Sequence, residues 1–298
     1  MNISRHWWHA NRLLIVFSAA LTTLVAAIAI VHVFSLSCTS GATTNQCGRV
    51  LSSDGLSSLL SLTLAIIPIL LGVVLGVDAV GGEVDRRTCW FAWSIATSRK
   101  QWLREGALPG LLSTALIGLV CGVVNAILVI KLNPGHNILA SYVGYGLWGP
   151  ILVVRGLCGY ALGILIGALS GRVIASVGLS LMLATAVIPV ALVAGRSFEP
   201  ATIIADNDPA STDAMGVQIG VLRPDGTIGP EGECFRAEPT GLTPDEEFQW
   251  GQTHCRTVVS FLRGSQMVDE ELRESVVLGV ISVLSGAMTV KVVLSRRP

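Results

Sequence analysis

The stretch that decides the fold is Gly76–Arg104, which reads GVDAVGGEVDRRTCWFAWSIATSRKQWLR. It lies between two long apolar runs, Leu59–Val77 and Leu108–Ile130. Its acidic, basic and tryptophan side chains are costly to place in hydrocarbon but suit the membrane–water interface. We therefore predict a membrane-surface element of one or two short amphipathic helices between two membrane spans.

The rest of the composition supports a membrane protein. The 298 residues are 51% hydrophobic and only 13% charged, whereas soluble domains carry roughly 25% charged residues. The apolar residues are concentrated in six runs of about 20 residues, the length that crosses a bilayer core as a helix. We predict an all-α membrane protein, and the strand-length alternating segments of a β-barrel are not seen. The predicted transmembrane helices are Leu13–Phe34, Leu59–Val80, Ala107–Ile130, Trp148–Leu169, Val173–Ala194 and Ser275–Leu294.

Basic residues are distributed unevenly among the predicted loops. With the N-terminus inside, the two short outer loops hold only Arg49 and Lys131. This bias predicts cytoplasmic termini and a cytoplasmic Gly76–Arg104 in a plasma-membrane protein. The long segment 195–273 does not enter the comparison, because long loops cross the membrane largely regardless of charge. The basic residues on the inner side are Arg5, Arg12, Arg86, Arg87, Arg99, Lys100, Arg104, Arg172, Arg296 and Arg297.

These boundaries divide the chain into three parts. Residues 1–194 form a transmembrane domain that contains spans 1–5, a coupling loop at 81–106 and an N-terminal interfacial helix that carries Trp7 and Trp8. Residues 195–273 form a small extracellular cap, in which Gly216–Leu222 fits a short strand. Residues 274–298 form the sixth span and a cytoplasmic tail.

Four of the seven cysteines fall outside the cell in this topology, where thiols oxidise. Among the three connectivities that four cysteines allow, the sequence-local one is favoured. It joins Cys38 to Cys47 and Cys234 to Cys255. We expect no metal site, because no CxxC spacing occurs and only His254 lies near these cysteines.

Arg155 lies about two turns inside the fourth span. A charge at this depth costs about 2.5–3.5 kcal/mol on insertion scales, so the side chain should face protein or a wet cavity. It is a candidate for the substrate path, as a contact for an anionic substrate group or as part of a gating ion pair. The alternatives are snorkelling to the outer headgroups and capping of a neighbouring helix.

Glycines recur at four-residue spacing in several spans, for example Gly159, Gly163 and Gly167 in the fourth and Gly72 and Gly76 in the second. Such spacing lets helix backbones approach closely in lipid. We favour packing within the chain over a dimer seam or a moving contact.

The sequence contains no GxxxxGK[ST] phosphate-binding motif and no GxSxG or HExxH motif. We therefore expect that this chain is not an enzyme and has no cofactor of its own.

The sequence resembles type-2 permeases of ATP-binding cassette (ABC) exporters, especially small actinobacterial ones. The resemblance rests on Gly76-Val77-Asp78, on Gly82-Glu83-Val84-Asp85-Arg86-Arg87-Thr88, on Ala92-Trp93-Ser94 and on Arg99-Lys100-Gln101-Trp102. The family pattern has proline at Asp78, arginine at Gly82 and glycine at Arg87. The six-span plan and the cysteine-bearing loop before the last span also match.

The resemblance implies that the loop between spans 2 and 3 forms a helix that docks into an ATPase subunit. Its acid, hydroxyl and basic-aromatic positions fall on Glu83, Thr88, Arg99 and Trp102. The basic residues can pair with an acidic partner surface or, alternatively, with anionic lipid. The predicted ATPase-coupling residues are Glu83, Asp85, Arg86, Arg87, Thr88, Arg99, Lys100 and Trp102.

The function that follows is that of the membrane-spanning permease subunit of an ABC exporter. It would pair with a second copy or a related permease, and separate ATPase subunits would bind ATP and Mg. The substrate implied is an amphiphile, peptide or antibiotic, and no nucleic acid is involved. The alternatives are a receptor or immunity protein whose extracellular loop binds a peptide or toxin, and a stand-alone facilitator.

Overall fold

The computed structural model describes residues 3–35, 55–85, 98–132, 142, 145–196, 202–205, 215–222, 228–229, 257–262 and 266–295. Six helices in these ranges are long and apolar enough to cross a membrane, which confirms the predicted fold class. They are α1 (Ile3–Ser35), α2 (Gly55–Val77, continued by a π-helical turn at Asp78–Gly82 and a last turn at Glu83–Asp85), α3 (Arg99–Leu132), α4 (Pro150–Ser170), α5 (Val173–Arg196) and α6 (Met267–Ser295).

The chain divides into two compact units, and the first contains the helical bundle. The core of this unit is α4, whose most apolar window is 78% buried, together with α2, whose window is 67% buried. The corresponding windows of α1, α5 and α6 are only about one fifth buried. Helices α2, α3 and α4 therefore form the centre, and the other three expose broad apolar faces.

Glycines explain why α2 and α4 pack so closely. A Cβ atom at Gly163 would lie 2.6 Å from the carbonyl oxygen of Val73, and one at Gly76 would overlap the carbonyl oxygen of Tyr160. Gly167 likewise faces Gly81. Because lipid is as apolar as the helices, close backbone approach and van der Waals contact stabilise this pair. The glycine spacing thus serves packing within the chain.

Both ends of the polar stretch Gly76–Arg104 are helical. Helix α2 continues through Asp85, and α3 already begins at Arg99. The hydroxyl oxygen of Ser98 accepts a hydrogen bond from the backbone N–H of Gln101 (3.1 Å) and thereby caps α3. Of the predicted coupling loop, residues 81–85 and 99–106 are therefore helical extensions of the two spans. The coupling helix between them lies outside the described residues and stays a prediction.

Helix α6 begins at Met267, whereas the sequence predicted a span from Ser275. The helix is longer than the predicted span because its first turns carry four acidic residues, which lower the hydropathy of this segment. Three of them, Glu270, Glu271 and Glu274, are nevertheless buried. The burial of Glu271 and Glu274 is explained below by hydrogen bonds to the protein.

A buried amide joins three elements of the bundle. Asn125 of α3 is fully buried and accepts a hydrogen bond from the Ser61 hydroxyl of α2 (2.8 Å). Its amide nitrogen donates to the carbonyl oxygens of Ser61 and of Leu147, just before α4. These bonds satisfy a polar group that would be costly to bury alone.

The second unit comprises His136–Val143 and Ser197–Asp269. It contains a four-stranded antiparallel sheet of β1 (Thr202–Ala205), β2 (Met215–Leu222), β3 (Ile228–Gly229) and β4 (Thr257–Leu262), in the order β1-β4-β2-β3. The predicted strand Gly216–Leu222 corresponds to β2. The extracellular location of this unit, its role as a cap and the three-part division of the chain stay predictions.

Candidate functional site

An elongated groove of about 680 Å³ lies between α3, α4 and α6. This volume falls within the range of about 300–1,000 Å³ that is typical of small-molecule pockets. Its lining residues are Arg99, Lys100, Leu103, Arg104, Ala107, Leu111, Leu157, Tyr160, Ala161, Ile164, Ser282, Val283, Gly286, Thr289, Val290, Val293 and Leu294.

The interior of the groove is apolar, and its charges lie at one end. The two hydroxyl groups of its α6 wall are already bonded within the helix: Ser282 donates to the Leu278 carbonyl (2.7 Å) and Thr289 to the Ser285 carbonyl (2.8 Å). Basic side chains line the end at which α3 begins. The groove therefore offers a long apolar surface that ends in positive charge.

Two predicted coupling residues lie in contact. The indole N–H of Trp102 donates to a carboxylate oxygen of Glu83 (3.1 Å), and Trp102 is only 4% exposed. Glu83 lies in the last turn of α2 and Trp102 in the first turn of α3. The two helices that flank the predicted coupling helix are thus joined at the point where it begins and ends.

Arg99 joins the same region to α6. Its guanidinium donates to the carbonyl oxygen of Leu294 near the C-terminal end of α6 (3.3 Å). The last carbonyls of a helix lack partners within the helix, and a cation there also interacts favourably with the helix dipole. Among the described elements, Arg99 therefore connects the start of α3 with the end of α6.

The remaining predicted coupling residues are less informative. Asp85 and Lys100 are exposed, and Lys100 lines the groove. Arg86, Arg87 and Thr88 lie outside the described residues. The π-helical turn Asp78–Gly82 immediately precedes this region, and such turns occur frequently at functional sites.

Arg155 is buried and paired rather than directed to lipid headgroups. Its Nε and Nη2 atoms donate to the two carboxylate oxygens of Glu274 on α6 (2.8 and 3.0 Å). Its Nη1 atom donates to the carbonyl oxygen of Gly146 (2.6 Å). Such a bidentate, charge-assisted pair is among the strongest side-chain interactions. Of the roles considered for Arg155, ion pairing and carbonyl capping match this geometry.

Gly146 is a structural part of this cluster. Its backbone N–H donates to a carboxylate oxygen of Glu271 (3.0 Å), while its carbonyl accepts from Arg155. Its φ of +70° lies in the left-handed region, and a Cβ there would be 2.7 Å from Nη2 of Arg155. Only glycine fits this position without strain. The Tyr145 hydroxyl also reaches Glu274 (3.3 Å).

The predicted disulfide cysteines, Cys38, Cys47, Cys234 and Cys255, all lie outside the described residues. Within the described part of the chain, Cys121 and Cys158 are buried as free thiols.

The sequence contained signals for some of the contacts that were missed. Ser98 followed by Gln101 is a capping-box pattern that predicts a helix start. Glu270, Glu271 and Glu274 precede an apolar run and supply the acid that a charged residue within a span requires. No pattern identified Glu274 as the partner, because pairing across two helices has no sequence periodicity.

One of the comparisons with known proteins identifies a family. The family described as ABC-2 membrane transporter related matches residues 12–196, more than half of the chain. No curated protein and no solved structure matches the chain. The matched range includes the first five spans, the groove walls of α3 and α4, and Arg155. This chain belongs to the ABC-2 membrane transporter related family, and it is a multi-pass ABC transporter permease whose family implies an ABC ATPase partner.

Proposed function

We propose that this chain is the membrane-spanning subunit of an exporter that moves an amphiphilic, peptide-like or antibiotic-like substrate out of the cell. The observation that carries this proposal is the groove between α3, α4 and α6, which can hold an apolar body inside the membrane-spanning part of the chain. The separate ATPase subunit binds ATP and Mg, and two permease chains form the complete pathway in the plasma membrane, with their termini in the cytoplasm.

The contacts at the two ends of the predicted coupling loop support a path by which its movement reaches the groove. A movement of the segment between α2 and α3 acts on both helices together, because Glu83 and Trp102 link them. It reaches α6 through Arg99 and the carbonyl of Leu294. Since α3 and α6 are two walls of the groove, a shift of the coupling loop that ATP binding drives opens or closes the groove. Such a change is a movement between two states of packed helices.

Co-expression of the chain with its ATPase subunit tests this function. We expect a stable complex and ATP-dependent uptake of a fluorescent amphiphile into inside-out vesicles. Glu83→Lys and Arg99→Glu should abolish uptake while the chain remains folded. Arg172→Glu is the matched control, because Arg172 is exposed in the connection between α4 and α5. Uptake that persists in both variants, or that needs no ATPase subunit, would refute the proposal.

A milder change separates two roles of Glu83. Glu83→Gln keeps an oxygen that can accept the Trp102 hydrogen bond but removes the charge. If Glu83 acts by joining α2 to α3, this variant retains uptake. If it acts by pairing with a basic surface on the ATPase, the variant loses uptake and binds the ATPase more weakly.

A further inference from the structure

We propose that the groove between α3, α4 and α6 binds one anionic amphiphile, with its phosphate or carboxylate head beside Lys100 and Arg104 and its apolar body along α6. This inference rests on the proposed export function and names the substrate class that the groove selects. The amphiphile comes from the bilayer, to which the broadly exposed helix α6 is open.

The shape and the walls of the groove specify an apolar body. Its α6 wall extends from Ser282 to Leu294, about 18 Å at ~1.5 Å per residue. The wall offers no unsatisfied hydroxyl group at Ser282 or Thr289, because both donate to helix carbonyls. A polar ligand would lose its hydration here without gaining hydrogen bonds. A small anion alone would leave most of this length unfilled.

The charges at one end specify a negative head. Helix α3 has no acidic residue in its first turn and places Arg99 and Lys100 there, against its own dipole. Arg104 follows one turn later, and none of the described lining residues is acidic. The nearby carboxylates of Glu83 and Glu105 accept hydrogen bonds from Trp102 and Gln101. Positive side chains therefore converge at this end of the groove, where they can pair with an anionic head.

Lys100 and Arg104 are better positions than Arg99 for testing the role of positive charge in binding. Arg99 already donates to the Leu294 carbonyl, so its replacement would also alter the position of α6. Lys100 and Arg104 are exposed, and their replacement by glutamine changes charge with little effect on packing.

The test measures binding of a fluorescently labelled dodecyl phosphate to the full chain in neutral dodecyl maltoside micelles, by fluorescence anisotropy. We expect saturable binding of one molecule per chain. Unlabelled dodecyl phosphate should compete, whereas dodecyltrimethylammonium and inorganic phosphate should not. The double variant Lys100→Gln/Arg104→Gln should bind about 25-fold more weakly, because each basic side chain contributes about a fivefold gain. Lys131→Gln, at the other end of α3, should bind normally.

A second pair of variants tests the groove itself. Gly286 lines the groove, and a Cβ there would meet open space. Gly286→Leu should therefore fill the groove and abolish binding with the charges intact. Gly279→Leu is the control, because Gly279 lies on the same helix with equal free space but outside the lining.

Two results would overturn the inference. The first is an absence of saturable binding. The second is unchanged binding in Gly286→Leu, which would show that the charges attract anions only at the surface. Either result leaves ATPase complex formation and ATP-dependent uptake as separate measurements, so the proposed function would stand or fall independently.

Discussion

Arg155 lies in a membrane-spanning helix, yet its guanidinium donates three hydrogen bonds within the protein. Its carboxylate partner, Glu274, is fully buried as well. Burying two charges costs several kcal/mol each, and the bidentate geometry and the additional bonds offset that cost. The pair therefore fixes which part of α6 faces α4 more than it adds net stability.

Removal of one partner should be much more costly than removal of both. Arg155→Met leaves Glu274 buried without its counter-charge, and we expect the free energy of unfolding to fall by about 3–5 kcal/mol. The double variant Arg155→Met/Glu274→Leu should recover much of this loss. Thermal unfolding of the purified chain in detergent measures both, with Lys291→Met, an exposed site on α6, as control. Equal instability of the single and double variants would contradict this account.

Gly146→Ala tests the backbone on the other side of the pair. The left-handed φ of +70° alone costs a non-glycine residue about 1–2 kcal/mol, and the Cβ would also press on Arg155. We expect a lower melting temperature. Gly279→Ala, in an open helical position, should instead be neutral or stabilising. If the two alanine variants melt alike, Gly146 is not under the constraint described.

At the scale of helices, the contact between α2 and α4 holds the centre of the bundle. Several glycines of one helix face backbone atoms of the other, so that there is no room for a Cβ atom at Gly76 or Gly163. Overpacking at such a contact forces backbone shifts.

Single methyl groups should therefore separate these two helices. Gly76→Ala and Gly163→Ala should each reduce the free energy of unfolding by about 1–3 kcal/mol or prevent folding. Gly178→Ala, on α5 with nothing near its Cβ, is the control. Melting temperature and the monodisperse fraction in gel filtration measure the effect. Tolerance of alanine at Gly76 and Gly163 would show that the two helices can separate at little cost.

The helices themselves were predictable and their ends were not. Apolar runs of span length identify all six, because each must satisfy its backbone within the membrane. The ends depend on where charge can be buried or capped. Glu271 and Glu274 can lie within α6 because both accept hydrogen bonds from the protein, and Ser98 starts α3 before the apolar run. A hydropathy value depends only on the residue type and does not include the hydrogen bonds that allow a charged side chain to be buried.

At the scale of the whole molecule, contacts between residues that are distant in sequence also limited the prediction of the functional site. The motif between spans 2 and 3 assigned Glu83 and Trp102 to one coupling loop, and the structure shows the two side chains in contact; their coupling role stays a prediction. The groove could not be predicted, because its walls come from three helices that are distant in sequence. The pairing of Arg155 was one of several open alternatives for the same reason.

The cysteines give a test of the whole topology. Seven cysteines are present, and two disulfides among Cys38, Cys47, Cys234 and Cys255 leave three thiols. Maleimide labelling of the unreduced, denatured chain should therefore add three groups by mass. In the folded chain Cys121 and Cys158 should stay unlabelled, because they are almost fully buried. Labelling of five or seven cysteines after denaturation would refute the disulfide prediction.

The pair of Arg155 and Glu274 also has a consequence for biosynthesis. The two residues are separated by 119 positions, and ribosomes add about 5–20 residues per second, so Arg155 is made roughly 6–24 s before its partner. During this time the nascent bundle holds a cation in the membrane without the carboxylate that later pairs with it. The acidic start of α6 can remain buried only once α4 is in place. The last helix, α6, therefore packs against helices that are already assembled, so the order of translation affects how this permease folds.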